Sequence, residues 1–460
     1  MDDAHSSLGF DSFMARCYAE REVQSGSYMK IFPFTKISLH SHIFGITVFF
    51  SAFLLFFIQP MFAKMILPIF GGAPNVWNGA MCFFQISLLC GYYYAHFLSQ
   101  RFELRHQIAI HGIFFLTAFL FLPIVINVSK YTAPEGMAPL LWLAWLFLTK
   151  IALPFFIISA TAPLMQKWFS FSKHERAHDP YFLYAISNTG SLLALFSYPF
   201  FIEPKLTLAQ QGFFWQNCYV FLFSLILACM IIIWNNAGRA IPAGNVISGS
   251  SQNAAIASIS LCKKIYWMTL AFVPCSLMYG VTAFIQTDIA AVPLLWVVPL
   301  AIYILTYILG FSRRMSGIYR PAKYIFPGAV IIMALSLAFS PNLPLLFTGL
   351  CHLGGFFIIA MYCHGELARQ RPHTAQLTLF YFLVSVGGVT AGIVNVLLAP
   401  MLFSILLEYP LTIILACVVW SSIDTTKKVF MRWVYFLLPS CFLLYFSLLC
   451  FLNFSIFIFL

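Results

Sequence analysis

Apolar runs of about 20 residues follow one another along most of the chain, and short polar segments separate them. A helix of that length crosses the roughly 30 Å hydrocarbon layer of a bilayer and satisfies its own backbone polar groups. The pattern therefore predicts an all-α polytopic membrane protein with about 12–14 transmembrane helices. We place these helices at about 42–63, 76–98, 107–127, 139–166, 180–201, 214–235, 265–286, 290–310, 322–340, 343–364, 376–402 and 405–422, with one long span or a tight pair over 431–459.

A segment rich in Gly, Ser and Asn separates the sixth predicted helix from the seventh and indicates a flexible cytoplasmic linker. It divides the chain into a cytoplasmic N-terminal tail, a first six-helix half, the linker, a second six-helix half and an extra C-terminal helix or helices. These parts are residues 1–40, 41–235, 236–264, 265–422 and 423–460.

The two halves share short sequence matches. The first helix ends in Phe57-Ile58-Gln59 and the seventh in Phe284-Ile285-Gln286. The fifth helix carries Phe182, Ser187 and Gly190, and the eleventh carries Phe380, Ser385 and Gly388 at the same spacing. The matches occur in the same order in both halves, which predicts a parallel 6+6 repeat of the kind found in two-halved transporters.

The composition agrees with a membrane protein, since 61% of the residues are hydrophobic and only 8% are charged. A soluble chain of this size could not hide that much apolar surface. The net charge of +11 is a topology signal, because 21 of the 25 Lys and Arg residues lie in alternate loops. Such an excess marks cytoplasmic loops and predicts an inner-membrane protein with a cytoplasmic N-terminus, not a nucleic-acid-binding protein.

Polar residues and helix breakers are concentrated where the first predicted helix ends. Gln59 and Lys64 lie there, and we expect this end to form a broken, polar-lined corner that faces a cavity. Gln286 and Asp288 occupy the matching end of the seventh helix. If the halves are pseudo-symmetric, Lys64 and Asp288 could pair across the bundle; alternatively, Lys64 extends to the lipid headgroups.

Three further polar residues lie within apolar helices, where a polar side chain needs a partner or water. Asn78 and Gln85 are seven residues apart and share one helix face. They could line the same cavity, but a hydrogen bond between helices is the interpretation we favour. Lys150 is predicted in the middle of a helix, one turn before Pro154. A buried amine there must be paired with another group, hydrated or neutral, and a functional role is the other interpretation.

His364 and Glu366 precede Arg369 and Arg371 at the cytoplasmic end of the tenth helix. They lack the i, i+4 spacing that would place both on one metal-binding face, so we predict a gate or a salt-bridge cluster and no metal site. The sequence has no GxGxxG, Walker A or GxSxG motif, and we therefore predict no catalytic residue, no cofactor and no enzyme activity.

Several segments between residues 45 and 410 resemble the membrane module of the bacterial fused transporter/spermidine synthase family. The segments are Gln59–Pro68, Phe70-Gly71-Gly72, Val76-Trp77, Tyr184–Ala194, Ile202-Glu203-Pro204, Thr287–Trp296, Cys363–Ala368 and Leu407–Pro410. The resemblance implies a major-facilitator-like bundle. In full-length relatives it implies a following Rossmann domain similar to spermidine synthase, using decarboxylated S-adenosylmethionine, and this sequence ends at Leu460 without one.

Three hypotheses follow. The first is a multi-pass module of a bacterial inner membrane that binds or moves a small polar solute by alternating access. Gln59, Lys64, Gln286 and Asp288 would then form a central or outer gate. The second is a membrane anchor or partner of a separate spermidine-synthase-like enzyme. The third is a truncated remnant of such a fusion.

Overall fold

The computed structural model describes residues 39–70, 74–126, 139–172, 174, 176–237, 259–286, 297–312, 315–339, 343–403 and 405–423. We number its helices in chain order: α1 Leu39–Phe70, α2 Pro74–Arg101, α3 Leu104–Thr117, α4 Pro139–Lys150, α5 Ala152–Phe169, α6 Phe182–Ser197, α7 Leu208–Ala237, α8 Leu261–Phe284, α9 Val297–Gly310, α10 Met315–Phe339, α11 Leu345–Arg369, α12 Leu377–Ile393 and α13 Glu408–Ile423.

The predicted all-α polytopic fold is confirmed. Each of the twelve spans predicted before residue 423 corresponds to a helix, with α4 and α5 sharing one predicted span. Within the described residues, eight helices are long and apolar enough to cross a membrane, and a ninth span results if the bent α4–α5 pair crosses as one. Most of the predicted tail and linker, and all of the stretch 431–459, lie outside the described residues.

The packing within the two halves follows one pattern. In the first half α1 packs against α5, α6 and α7, and in the second half α8 packs against α11, α12 and α13. Likewise, α2 packs against α5 as α9 packs against α11. Each half is built around its own hydrophobic core, centred on residues such as Trp168 in the first and Trp267 in the second. The internal packing therefore repeats, as the sequence matches predict.

Two glycines allow equivalent helices to approach closely in the two halves. A Cβ added to Gly190 of α6 would lie 2.2 Å from the carbonyl oxygen of Phe49 on α1. A Cβ added to Gly387 of α12 would lie 2.3 Å from the carbonyl oxygen of Met268 on α8. Sequence spacing matches Gly190 with Gly388, but Gly388 has open space around it and the neighbouring glycine makes the contact.

The predicted broken corner near the end of the first helix is wrong, because α1 continues to Phe70 with Pro60 and Pro68 inside it. A proline removes one backbone donor and commonly ends or kinks a helix in water. Within a membrane, an interrupted backbone would leave further polar groups unsatisfied, so the helix persists and local adjustments satisfy the freed carbonyl. Lys64 therefore lies inside a helix and not in a loop.

The helix predicted over 139–166 is broken, which corrects the position of Lys150. α4 ends at Lys150, α5 begins at Ala152, and the two segments are bent by 67°. Pro154 has no N–H to donate to the carbonyl of Lys150, and its ring crowds that carbonyl. Ile151 takes up the bend with φ −127° and ψ −29°. Lys150 is thus a C-terminal helix residue, where its charge complements the helix dipole.

A π-helical turn follows the fifth helix of each half. Residues Tyr198–Ile202 continue α6, and residues Val394–Leu398 continue α12 into a short helix, Ala399–Leu402. A π-helical turn widens the backbone and is frequent at functional sites. Its occurrence at equivalent places in both halves is a further sign of the repeat.

Candidate functional site

The two halves meet along two pairs of helices, α2 with α12 and α6 with α9. On the first pair, Thr378 Oγ1 lies 3.0 Å from both His96 Nδ1 and Ser99 Oγ. Further along the same pair, a Cβ added to Gly392 would lie 2.0 Å from Gln85 Oε1. α2 and α12 therefore run antiparallel and stay in contact over several turns. α2 is the first-half side of this interface, and α12 is the second-half side.

An ion pair joins the halves at the side of the bundle that the charge pattern predicts to be cytoplasmic, which we call the inner side. Arg371 Nη2 lies 3.1 Å from Asp179 Oδ2, and the guanidinium is 5.2 Å from the ring centre of Tyr181. Burial raises the pKa of the Tyr181 phenol, so the hydroxyl stays protonated and donates to the carbonyl of Pro372 at 2.8 Å.

A second layer of cross-half contacts lies just above this ion pair. The Tyr381 hydroxyl donates to Gln166 Oε1 at 2.6 Å, and both side chains are buried. Lys167 Nζ donates to the carbonyl oxygen of Thr374 at 3.2 Å. The ring of Tyr184 stacks on that of Tyr381 with centroids 4.9 Å apart. We call these two layers the inner seal; they join the two halves on the inner side.

Half-buried tyrosines surround the interface beyond the inner seal. The half-buried Tyr184 of α6 makes an edge contact with the buried Tyr307 of α9 at 5.5 Å between centroids, and the half-buried Tyr303 contacts Tyr307 at 5.2 Å. Tyr92 of α2 and Tyr279 of α8 are half-buried as well. These rings come from both halves and combine a polar hydroxyl with a flat apolar face, which suits contact with a small polar solute.

Gln85 belongs to this interface. Its Nε2 donates to the Tyr279 hydroxyl, so an amide of the first half bonds with a phenol of the second. The interpretation we favoured from the sequence, a hydrogen bond between helices, describes this contact, and the half-buried Tyr279 also places Gln85 beside the tyrosines. Asn78 lies on α2, seven residues before Gln85, and its side chain is outside the described part of the structure.

His364 and Glu366 are both fully buried, but they face different partners. His364 Nδ1 lies 2.8 Å from Thr306 Oγ1, and its ring stacks on Tyr307 at 3.6 Å. His364 is therefore attached to the tyrosine cluster, on the α9 side of the interface.

Glu366 forms a salt-bridge cluster within the second half. Its carboxylate accepts hydrogen bonds from Tyr319 Oη at 2.7 Å and from Gln370 Nε2 at 3.0 Å, and Arg369 Nε lies 3.3 Å away. Arg371, which the sequence groups with them, instead forms the inner seal. No group of three or more metal-ligating side chains occurs in the described part of the chain.

The candidate residues at the opposite, outer side are only partly described. Lys64 Nζ is paired with Glu203, which follows the π-helical turn of α6. Gln59 is half-buried and donates to the carbonyl of Leu55, one turn earlier in its own helix, at 3.3 Å. Gln286 is exposed just after α8, whereas Asp288 and its predicted pairing with Lys64 lie outside the described residues.

Sequence reasoning missed most of the inner seal. A signal existed for Asp179, which is a charged residue in a short loop directly before the predicted fifth helix. Glu203 was part of the family resemblance, but nothing in its spacing indicates Lys64 as a partner. Gln166, Tyr181 and Tyr381 are ordinary helix or loop residues whose pairing depends on how the halves meet.

Solved transporter structures share this arrangement of helices. A major facilitator superfamily proton:xylose symporter bound to 6-bromo-6-deoxy-D-glucose is 14% identical and superposes with a TM-score of 0.52 over 83% of this chain and 94% of that one. A bacterial homologue of the iron transporter ferroportin in an outward-facing state is 13% identical, with a TM-score of 0.54 over 88% of this chain and all of that one.

No protein-family model matches the sequence, and no curated protein sequence matches it. Structural neighbours with such low sequence identity show the fold alone and do not indicate the solute. Together with the repeated packing of the two halves, they show that this chain is a multi-pass membrane protein with an all-α, major-facilitator-like fold.

Proposed function

We propose that the chain is a transporter of a bacterial inner membrane that moves a small polar solute by alternating access. The observation that carries this proposal is the distribution of contacts between the halves. The inner seal, with Asp179–Arg371 and Gln166–Tyr381, closes one side, and half-buried tyrosines of both halves line the interface beyond it. A site between two pseudo-symmetric halves is where such transporters bind their substrates.

The inner seal can open at low cost. The Asp179–Arg371 pair is partly exposed, with 43% and 38% of the side chains accessible, and such pairs contribute roughly 0–1 kcal/mol each. The seal adds hydrogen bonds worth about 1 kcal/mol each when water replaces the partner. A bound solute needs only a few kcal/mol of preference for the opposite conformation to shift the equilibrium between the two.

At the outer side we propose that Lys64 exchanges partners as the halves move. It pairs with Glu203 of its own half in this structure. When the outer side closes, Lys64 would pair with Asp288 of the other half, and Gln59 and Gln286 would approach each other at the same level. His364 lies where it can transmit movement of α11 to the tyrosine cluster.

The test begins with a thermal-shift screen of the detergent-solubilised full chain, using spermidine as a cationic probe and citrate as an anionic probe. Any compound that stabilises the chain is then measured by counterflow in proteoliposomes. A disulfide between Asp179→Cys and Arg371→Cys should abolish counterflow, and reduction should restore it. Each single cysteine variant, treated with the same oxidant, is the control.

Counterflow that persists after quantitative cross-linking of this pair would contradict alternating access across the inner seal. Unchanged uptake in folded Lys64→Ala and Asp288→Ala variants would contradict the proposed exchange of partners at the outer side. The second outcome leaves the inner seal intact, so the two parts of the proposal can fail separately.

A second role, as membrane anchor or partner of a spermidine-synthase-like enzyme or as a remnant of a fusion with it, rests on the sequence resemblance alone. A synthase-like reading frame next to this one, and recovery of its product with the solubilised chain, would support the anchor. Neither role requires solute counterflow, so a positive counterflow experiment discriminates the transporter from both.

A further inference from the structure

Two amides on opposite sides of the interface leave an oxygen without a donor. Gln85 of α2 uses its Nε2 on Tyr279, and Asn395, in the π-helical turn after α12, uses its Nδ2 on α8 and on its own helix. Among the described residues, neither Gln85 Oε1 nor Asn395 Oδ1 receives a hydrogen bond, although both atoms are buried. A buried acceptor without a donor costs about 1–3 kcal/mol.

The orientation of the Asn395 amide is fixed by its neighbours. Nδ2 lies 2.8 Å from the carbonyl oxygen of Ala391, which can only accept, so the nitrogen must face it. The same nitrogen lies 2.8 Å from Ser276 Oγ. Thr412 donates its proton to the carbonyl of Glu408 at 2.7 Å, so the Ser276 hydroxyl must donate to Thr412 Oγ1 at 2.8 Å. None of the hydroxyl or amide protons in this series of hydrogen bonds is left to donate to Asn395 Oδ1.

The two unsatisfied oxygens lie near one another. Gln85 Oε1 rests against Gly392, one helical turn before Asn395. Their amide nitrogens bond to Tyr279 and Ser276, which are one turn apart on the same face of α8. Both oxygens therefore lie where α2, α8 and the π-helical turn of α12 come together.

The equivalent place in the first half provides an internal comparison. There the π-helical turn begins at Tyr198, whose hydroxyl donates to Gln211 Oε1 at 3.0 Å. Gln211 Nε2 in turn donates to the carbonyl of Leu206 at 2.9 Å. Both ends of that amide are satisfied, so an unsatisfied oxygen is not a general consequence of a π-helical turn. The Asn395 amide lacks the donor that the Gln211 amide has, although Glu203 Oε2, directly after the first-half turn, is also a buried oxygen without a donor.

We propose that this junction of α2, α8 and the π-helical turn binds a monovalent alkali cation such as Na⁺. Hard cations prefer oxygen ligands, and Gln85, Asn395, Tyr279 and Ser276 offer neutral oxygens at this junction. None of these four ligands is a carboxylate, which favours a single charge over a divalent ion in a membrane interior. Interrupted helices at the interface of transporter repeats also present free backbone carbonyls, which a π-helical turn can supply.

The cation would act on the conformation as well as on stability. Its ligands come from α2 of the first half and from α8 and α12 of the second. Binding therefore favours the conformation in which Gln85 and Asn395 are held together, and release favours their separation. If the chain transports its solute as proposed above, the same ion could couple to that movement, but binding itself does not depend on transport.

The test measures thermal unfolding and ²²Na⁺ binding of the purified full chain without any solute. We expect a saturable rise in melting temperature when choline chloride is replaced by NaCl at equal ionic strength, because a ligand of the folded state stabilises it. Gln85→Met and Asn395→Leu should lose this rise and the bound ²²Na⁺. Two control variants should keep the rise in melting temperature and the bound ²²Na⁺. They are Thr390→Val, at an exposed position on α12, and Gln211→Met, which changes the partner of Tyr198 at the first-half π-helical turn.

Equal melting temperatures in NaCl and choline chloride, with no bound ²²Na⁺, would overturn the proposal and indicate that buried water satisfies the two oxygens. A Na⁺ response that survives in Gln85→Met and Asn395→Leu would also overturn it, since the ion would then bind elsewhere. If Asn395→Leu fails to fold, Gln85→Met together with Ser276→Ala decides between the same outcomes. None of these measurements requires the transport proposal to hold.

Discussion

Lys64 and Glu203 form an ion pair between α1 and the segment that follows the π-helical turn of α6, 139 residues further along the chain. The pair lies at the outer end of the first half. Lys64 is 41% exposed and Glu203 is 24% exposed, so neither charge is removed from water completely. The pair therefore joins two helices of one half at low cost and leaves Lys64 able to exchange its partner.

The Lys64–Glu203 pair predicts that removing the lysine alone costs more stability than the pair itself contributes. Replacing Lys64 by Ala leaves the less exposed Glu203 without its cation and should destabilise the chain by about 1 kcal/mol, whereas the pair itself contributes less. The double exchange Lys64→Glu with Glu203→Lys should recover most of the loss. Thermal unfolding in detergent measures both effects. Equal stability of the wild type and Lys64→Ala would show that water replaces Lys64 as the partner of the Glu203 carboxylate.

The inner seal predicts a change in dynamics confined to two loops. Arg371→Ala removes the ion pair with Asp179 and the contact with the Tyr181 ring, so the loops around residues 177–184 and 370–378 should exchange backbone hydrogens faster. Hydrogen-exchange mass spectrometry measures this directly. Asp179→Arg combined with Arg371→Asp should restore protection, and Arg105→Ala, in the first turn of α3, is the control.

A mutation pair on α12 tests the packing of the repeat. Gly387→Ala would place a methyl group 2.3 Å from the backbone oxygen of Met268 and should destabilise the chain by about 1–3 kcal/mol. Gly388→Ala meets nothing within 4 Å and should stabilise α12 by about 0.5–1 kcal/mol, because alanine favours the helix. Denaturant unfolding of both variants measures the difference, and equal values would contradict the close approach of α12 to α8.

The helices could be predicted from the sequence because a membrane span satisfies its own backbone and needs only length and hydrophobicity. The repeat was visible in a few matched positions such as Gly190 and Gly388, although the contact is made by Gly387. The end of α1 is mispredicted because a proline such as Pro68 carries the same local signal whether a helix continues or stops. The membrane environment decides between those outcomes, and a local pattern does not encode it.

The candidate site was predicted less completely, for a different physical reason. Gln85 was identifiable because an amide in an apolar helix needs a partner. Its partner, Tyr279, lies 194 residues away on the other half, and ordinary tyrosines carry no mark of such a role. Asn395 was overlooked for the same reason, since its unsatisfied oxygen becomes apparent only when every donor around it is assigned. Contacts between halves depend on docking geometry, which the local pattern does not contain.

The buried carboxylate of Glu366 provides the last prediction. Three groups of the second half converge on it: the Tyr319 hydroxyl at 2.7 Å, Gln370 Nε2 at 3.0 Å and Arg369 Nε at 3.3 Å. Glu366→Leu removes the acceptor from all three, and the fully buried position gives water no easy access. Arg369 is 45% exposed and can be hydrated, but the buried Tyr319 hydroxyl is left without its acceptor, which costs about 1–3 kcal/mol, so this variant should unfold at a lower temperature.

Glu366→Gln keeps one acceptor oxygen and the side-chain volume, so it should retain the bond from Tyr319 and lose part of the interaction with Arg369. Tyr319→Phe removes a single donor and should cost about 1 kcal/mol. Measured together by thermal unfolding, the three variants should therefore rank Glu366→Leu as most damaging, then Glu366→Gln, then Tyr319→Phe. Some buried ion pairs can be replaced by apolar side chains without loss of stability. If Glu366→Leu were as stable as the wild type, the cluster would contribute to specificity or movement and not to folding.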